Sequence, residues 1–188
     1  MTISNVVLPK PSEELIRHKE RLWRLKLPQD YRRFVAEYHG GIPSKCSFPC
    51  WGHMYMIERF LCILEHVGEH KYGFLDIDVT LTQIGERLSD DEDLVGEDVI
   101  PIAVMFAGDY LCMDFREDKE NPSICIWFHE ESGVFDPVTE KIANSFTEFI
   151  QILERTESDE NADGCVVPGN NIPRKESFWK KLVRRFKC

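Results

Sequence analysis

Along residues 12–25 the apolar side chains Leu15, Ile16, Leu22 and Trp23 fall near one face at helical spacing, which predicts a first amphipathic helix. Ser12 is placed to cap it, and Glu13 and Glu14 suit the positive end of the helix dipole. A second helix is predicted from Leu27-Pro28-Gln29-Asp30-Tyr31. Pro28 sits well in a first turn, and Tyr31, Phe34, Val35 and Tyr38 make an i, i+3, i+4, i+7 stripe. Gly40 and Gly41 should stop this helix by supplying left-handed backbone at low cost.

The pattern then changes period. Residues 46–64 carry aromatic and β-branched side chains punctuated by Pro49 and Gly52, which predicts a loop and a strand around residues 54–57. Helix is expected again over residues 79–88, before the acidic run Asp90-Asp91-Glu92-Asp93, which must lie in solvent. Three strands follow at residues 99–106, 110–115 and 123–129, with Gly108-Asp109 as the tight turn of a hairpin that the third strand extends into a meander. Ser145 and Glu148 read as a capping box for a closing helix whose apolar face is Phe146, Phe149, Ile150 and Leu153. The expected class is α+β: a mainly antiparallel sheet with a meander, flanked by two N-terminal helices and a C-terminal helix. The domain should cover residues 1–155, followed by a polar, turn-rich linker over 156–176 and a basic amphipathic tail over 177–188.

Composition narrows the class. The chain has 188 residues, 43% of them hydrophobic and 30% charged, enough for one ordinary globular core. No run approaches the roughly 18 apolar residues of a membrane span, and the first residues lack an export signal, so a cytoplasmic protein is expected. The seven cysteines are scattered and mostly flanked by apolar residues, as in Ile124-Cys125-Ile126, which reads as reduced core packing. The net charge of −10 is uneven: residues 1–150 hold 15 Lys and Arg against 27 Asp and Glu, whereas residues 151–188 hold 8 against 6. Such an acidic field repels nucleic acid and steers a basic protein partner inward.

Little in the chain signals bond-making chemistry. Cys46, Cys50 and His53, with Cys62, His66 and His70 downstream, could supply soft ligands to zinc, but structural zinc normally shows two tight ligand pairs, and here the second, His66 and His70, fits only if it lies on a helix. No phosphate-cradling glycine loop, nucleotide fingerprint or metalloprotease motif is present. No catalytic residue, metal or cofactor is therefore expected. A hydrolase or metal-dependent enzyme built on the 46–70 region is the minor alternative.

The order of Leu27-Pro28-x-x-Tyr31 before a helix, Gly40-Gly41 after it, Ile100-Pro101-Ile102-Ala103 leading to Gly108-Asp109, and Ser145-Phe146-x-x-Phe149 in the last helix resembles the SUKH superfamily. The resemblance covers most of residues 12–155. Family members commonly have Asn-Gly-Gly where this chain has His39-Gly40-Gly41. The superfamily includes fungal cell-wall regulators and bacterial immunity proteins. It implies an α+β sheet flanked by helices and, in bacterial members, neutralisation of a toxin by direct protein contact; a non-catalytic regulatory or scaffold module binding other proteins is the alternative. Residues 75–120 hold 14 acidic against 3 basic side chains, a field suited to a basic toxin domain such as a nuclease. The expected partner-binding residues are the acids Asp90, Asp91, Asp93, Asp109, Asp114, Glu130 and Glu131, with Trp51 or Trp127 as an aromatic anchor. For the tail, docking onto its own acidic domain ranks first, gripping a partner second, and contact with an anionic membrane surface third.

Overall fold

The computed structural model describes residues 1–155; the expected linker 156–176 and basic tail 177–188 lie outside the described residues. Helix α1 runs Glu13–Trp23, and the Ser12 side chain accepts the Leu15 N–H at 3.1 Å as the pattern predicts. Arg24 ends it in left-handed backbone at φ 57, its N–H returning to the Glu20 carbonyl. Ile16 and Trp23 are buried, but Leu22 points outward. Helix α2 runs Gln29–Tyr38, with Pro28 at the N-cap position, one residue earlier than expected.

The two glycines after α2 act for different reasons. Gly40 has φ +65, the left-handed geometry expected of a helix stop. Gly41 does not; a side chain there would run into Ile3 Cγ2 and the Tyr38 carbonyl, so its smallness is what the fold uses. That close approach seats the first segment: β1 (Ile3–Ser4) pairs antiparallel with β2 (Ile42–Pro43), a two-residue ladder too short to leave a period in the sequence.

The main sheet has six antiparallel strands in chain order: β3 (Ser47–Cys50), β4 (His53–Phe60), β5 (Val99–Met105), β6 (Tyr110–Asp114), β7 (Ser123–Trp127) and β8 (Thr139–Ala143). The expected single strand near 54–57 is thus a hairpin. Between β4 and β5 the chain forms α3 (Ile77–Ile84), capped by Asp76, which accepts the Asp78 N–H at 3.0 Å. It packs on β5, and a 3-10 turn over Gly85–Arg87 completes the helical region expected to reach Leu88. Strand β5 is buried at every position but Val104, so the centre of the sheet is covered on both faces.

Helix α4 (Phe146–Arg155) starts with Ser145 accepting the Glu148 N–H at 3.1 Å. The Glu148 carboxylate reaches back to the Asn144 N–H at 2.7 Å, one residue upstream of an ordinary capping box. α4 touches β7, β8 and also β3, the far edge strand, where Phe48 meets Phe149 edge-on at 5.2 Å. The sheet therefore curls around this helix. Tyr31, Phe34, Phe60 and Phe146 interlock at centroid distances of 4.6–5.1 Å and join α2 to the same core.

Candidate partner-binding surface

A meander places alternate connections at the same end of its sheet, and here the β3–β4, β5–β6 and β7–β8 connections share one end. The first is a two-residue loop, Trp51-Gly52, closed by the Cys50–His53 pair. Its φ values are +50 and +77, as the twist of a tight hairpin demands. Glycine or asparagine meets that demand cheaply; a tryptophan does not. Trp51 is 53% exposed, and its ring lies near-parallel to that of Phe128, 6.2 Å away. Tyr55, two residues into β4, meets Phe128 from another side, also at 6.2 Å. Phe128 is only 6% exposed and forms the floor between them.

The second connection supplies an acid. The left-handed residues of the β5–β6 turn are Ala107 and Gly108, at φ 69 and 85, and not the expected Gly108-Asp109 pair; Asp109 is extended. That frees its carboxylate to accept the His129 N–H at 2.8 Å, tying the turn to the third connection. Burial pushes the Asp109 carboxyl up to about 6; the His129 amide opposes the shift, while Glu131 and Glu130 add to it. Burial likewise raises the Tyr55 phenol, and the charges of Asp109, Glu131 and Glu140 reinforce it. The charges of these acids therefore reach Tyr55, one of the three rings.

The third connection is held by Arg87. Its guanidinium donates to the carbonyls of His129 and of Ser132, the latter at 2.8 Å, and lies 5.2 Å from the centre of the Trp127 ring. The Arg87 carbonyl in turn accepts the Trp127 indole N–H at 2.9 Å. Ser132 adds a bond from the Val138 N–H to its hydroxyl at 2.9 Å. Glu130 and Glu131 are thus presented from a braced loop.

The nine expected residues do not form one surface. Trp51, Asp109, Glu130 and Glu131 share the end just described. Asp114 lies at the other end of β6, roughly 16 Å away at 3.3 Å per residue. It is half-buried and held in a two-toothed pair with Arg116 at 2.9 and 2.6 Å, so it offers little free charge. Asp90, Asp91 and Asp93 are exposed in the α3–β5 connection; Asp91 accepts the Asp93 N–H at 2.9 Å, and the charge of Asp90 reaches Arg116. Trp127 is corrected to a core residue: it is fully buried with its N–H satisfied, and the alternation of a strand covered on both faces hides it. Sequence reasoning missed Tyr55, Phe128 and Arg87, which no local motif marks because they meet only through strand pairing.

Other clusters have internal explanations. Cys50 is a buried thiol on β3, and among the described residues no three or more His, Cys, Asp or Glu side chains converge as metal ligands. His70, expected as a possible ligand, bonds the Leu8 carbonyl at 2.9 Å and accepts the Tyr72 N–H at 3.1 Å. Burial pushes the Cys62 thiol up to about 12 and raises Cys112 and Cys125 further, away from nucleophilic thiolate. A shallow polar cleft of about 430 Å³ between α1 and α2 is lined by groups paired with one another: Arg32 pairs with Glu20 at 2.5 and 2.6 Å and with Glu13, and Glu20 also accepts the Leu27 N–H at 2.9 Å. No described helix is long and apolar enough to cross a membrane.

The family model described as SMI1-KNR4 cell-wall (SUKH_6) matches residues 13–150. No curated protein sequence and no solved structure matches the chain.

Proposed function

Because the match over residues 13–150 makes this chain a member of the SUKH superfamily, we propose that it is an immunity protein that neutralises a basic toxin domain by direct contact at the aromatic and acidic end of its sheet. The observation that carries this reading is Trp51. A large aromatic held in left-handed backbone at a hairpin tip, more than half exposed, costs the fold free energy that glycine or asparagine would spare. Local strain together with exposure fits a residue retained for contact. The surrounding acids Asp109, Glu130 and Glu131 supply the complementary field, and the aromatic ring supplies the anchor, the usual division of labour in an interface. Neutralisation of this kind needs shape and charge and no reactive group.

The test begins with the gene neighbourhood, where this reading expects a toxin domain, and continues with co-expression of that domain and a binding titration. The wild-type chain should restore growth, and Trp51→Ala should weaken binding ~30-fold or more, as for an interface anchor worth about 2 kcal/mol. Unchanged protection by a folded Trp51→Ala, Glu130→Ala double variant would move the contact elsewhere. The second reading, a regulatory or scaffold module, draws on the cell-wall wording of the family description. It would use the same surface with a different partner, and a gene neighbourhood without any toxin would favour it.

A further inference from the structure

We infer that the aromatic and acidic end of the sheet is also the seat of the chain's own C-terminal segment, residues 177–188, which competes there with any outside partner. In that segment Phe178, Trp179, Leu182, Val183 and Phe186 recur at helical spacing among Lys180, Lys181, Arg184, Arg185 and Lys187. A twelve-residue helix is marginal alone in water, so an amphipathic one needs a surface that is apolar at its centre and acidic at its rim.

The described surface offers several exposed apolar side chains, and charge sorts them. Phe74 lies against Tyr72, whose ring carries Lys71 and Arg59 at 4.7 and 4.6 Å, a cationic setting that repels a basic segment. Leu22 stands on α1 between Arg21 and Arg24. Val95 follows the Asp90–Asp93 run but brings no aromatic area. Among the described residues, Trp51 combines an exposed aromatic ring with an aromatic floor, Phe128, at the end of the sheet whose other two connections carry Asp109, Glu130, Glu131 and the exposed Val134. Charge complementarity follows directly: five cations in the segment face three acids and the Glu140 field that reaches Tyr55.

Reach is sufficient. The 21 residues 156–176 give a root-mean-square span of about 25 Å and an extended span near 70 Å, against a domain roughly 40 Å across. Tethering makes the contact intramolecular at an effective concentration of about millimolar, so a weak contact is occupied and still yields to a tight partner.

Zero-length carbodiimide coupling of the full-length chain, followed by isolation of the monomer and peptide mapping, tests this with no partner present. Coupling of Lys180, Lys181 or Lys187 to Asp109, Glu130 or Glu131 is expected, with at least a fivefold loss in Trp51→Ala, in Trp179→Ser, and in about 0.5 M salt, where charges a few ångströms apart are largely screened. A charge-swapped chain carrying Glu130→Lys and Glu131→Lys together with Lys180→Glu and Lys181→Glu should couple again, now between the amines introduced at positions 130 and 131 and the carboxylates introduced at 180 and 181, which fixes the register. Coupling chiefly to Asp90, Asp91 and Asp93, coupling only between two copies, or none at all would overturn the inference. Each of those failures leaves the toxin-binding reading standing, since no partner enters the measurement.

Discussion

At the scale of single residues the two tryptophans separate contact from stability. Trp127 is fully buried with its indole bonded to Arg87, so truncation to Ala should cost about 3–5 kcal/mol and lower the melting temperature sharply. For Trp51 two small effects oppose each other: relief of left-handed backbone strain is worth about 1–2 kcal/mol, and loss of the ring contact with Phe128 costs about 0.5–1.5 kcal/mol. Trp51→Asn should therefore leave the melting temperature within a few degrees of wild type while partner binding falls at least tenfold; calorimetry and a binding titration read the two outcomes. His39 is the other residue whose local chemistry has a global consequence. It is fully buried at the end of α2, and because the Ile63 N–H donates to its Nδ1 at 3.3 Å, the proton must sit on Nε2, which donates to the Val7 carbonyl at 2.9 Å. Burial lowers its pKa below 6.5, bonds to the Val7 and Pro9 carbonyls oppose that, and His70 adds to the lowering. A depressed folded-state pKa means that the unfolded chain binds the proton more readily, so this contribution is intact above pH 6.5 and is lost as pH falls below it toward the depressed value. Asp109 and Glu97, raised to about 6 and about 7 chiefly by burial, act in the opposite sense, their contribution falling as pH rises toward those values. The difference between wild type and His39→Asn isolates the histidine: the wild-type stability should fall more steeply from pH 6.5 to 5, and parallel curves would show that His39 takes up its proton equally in the folded and unfolded states.

Elements were legible where a period or a cap announces them. The capped α1, the α2 stripe, the β5–β6–β7 meander and the Ser145 start of α4 stand in the sequence because each carries a local signal of propensity or capping. β8 was not: Thr139-Glu140-Lys141-Ile142-Ala143 buries only Ala143, and edge pairing with β7 sustains it. Pro49 makes the β3 segment look like loop, yet an edge strand tolerates a residue without an N–H. Of the candidate surface, the exposed Trp51 and the acids were visible as residue types, but their assembly depends on three connections brought to one end by a topology no single window contains. The braced β7–β8 connection yields a prediction at this scale. Arg87→Ala removes two donors to the His129 and Ser132 carbonyls. Amide exchange over residues 129–133 should accelerate ~10-fold, with a stability loss of about 1–2 kcal/mol, and partner affinity should fall because Glu130 and Glu131 are no longer preorganised. Unchanged exchange would place the bracing elsewhere.

On the proposed reading a partner meets two distinct things at the scale of the whole molecule, a field and a contact, and each makes its own prediction. Residues 1–150 carry a net charge of −12, to which Asp90, Asp91 and Asp93 contribute from exposed positions in the α3–β5 connection. Long-range attraction raises the rate of encounter and is screened over about 8 Å at physiological salt, whereas short-range packing governs how long a complex lasts. Reversing Asp90, Asp91 and Asp93 to Lys should therefore slow association with a basic partner at least tenfold at low ionic strength and leave dissociation nearly unchanged, with the difference shrinking as salt is added. Trp51→Ala should do the reverse, speeding dissociation while association and its salt dependence stay close to wild type. Kinetic binding measured across ionic strengths separates the two. If the Asp90–Asp93 variant instead dissociates faster, that run is part of the contact and the docking face extends beyond the end of the sheet; if neither variant changes either rate, the partner uses another face altogether.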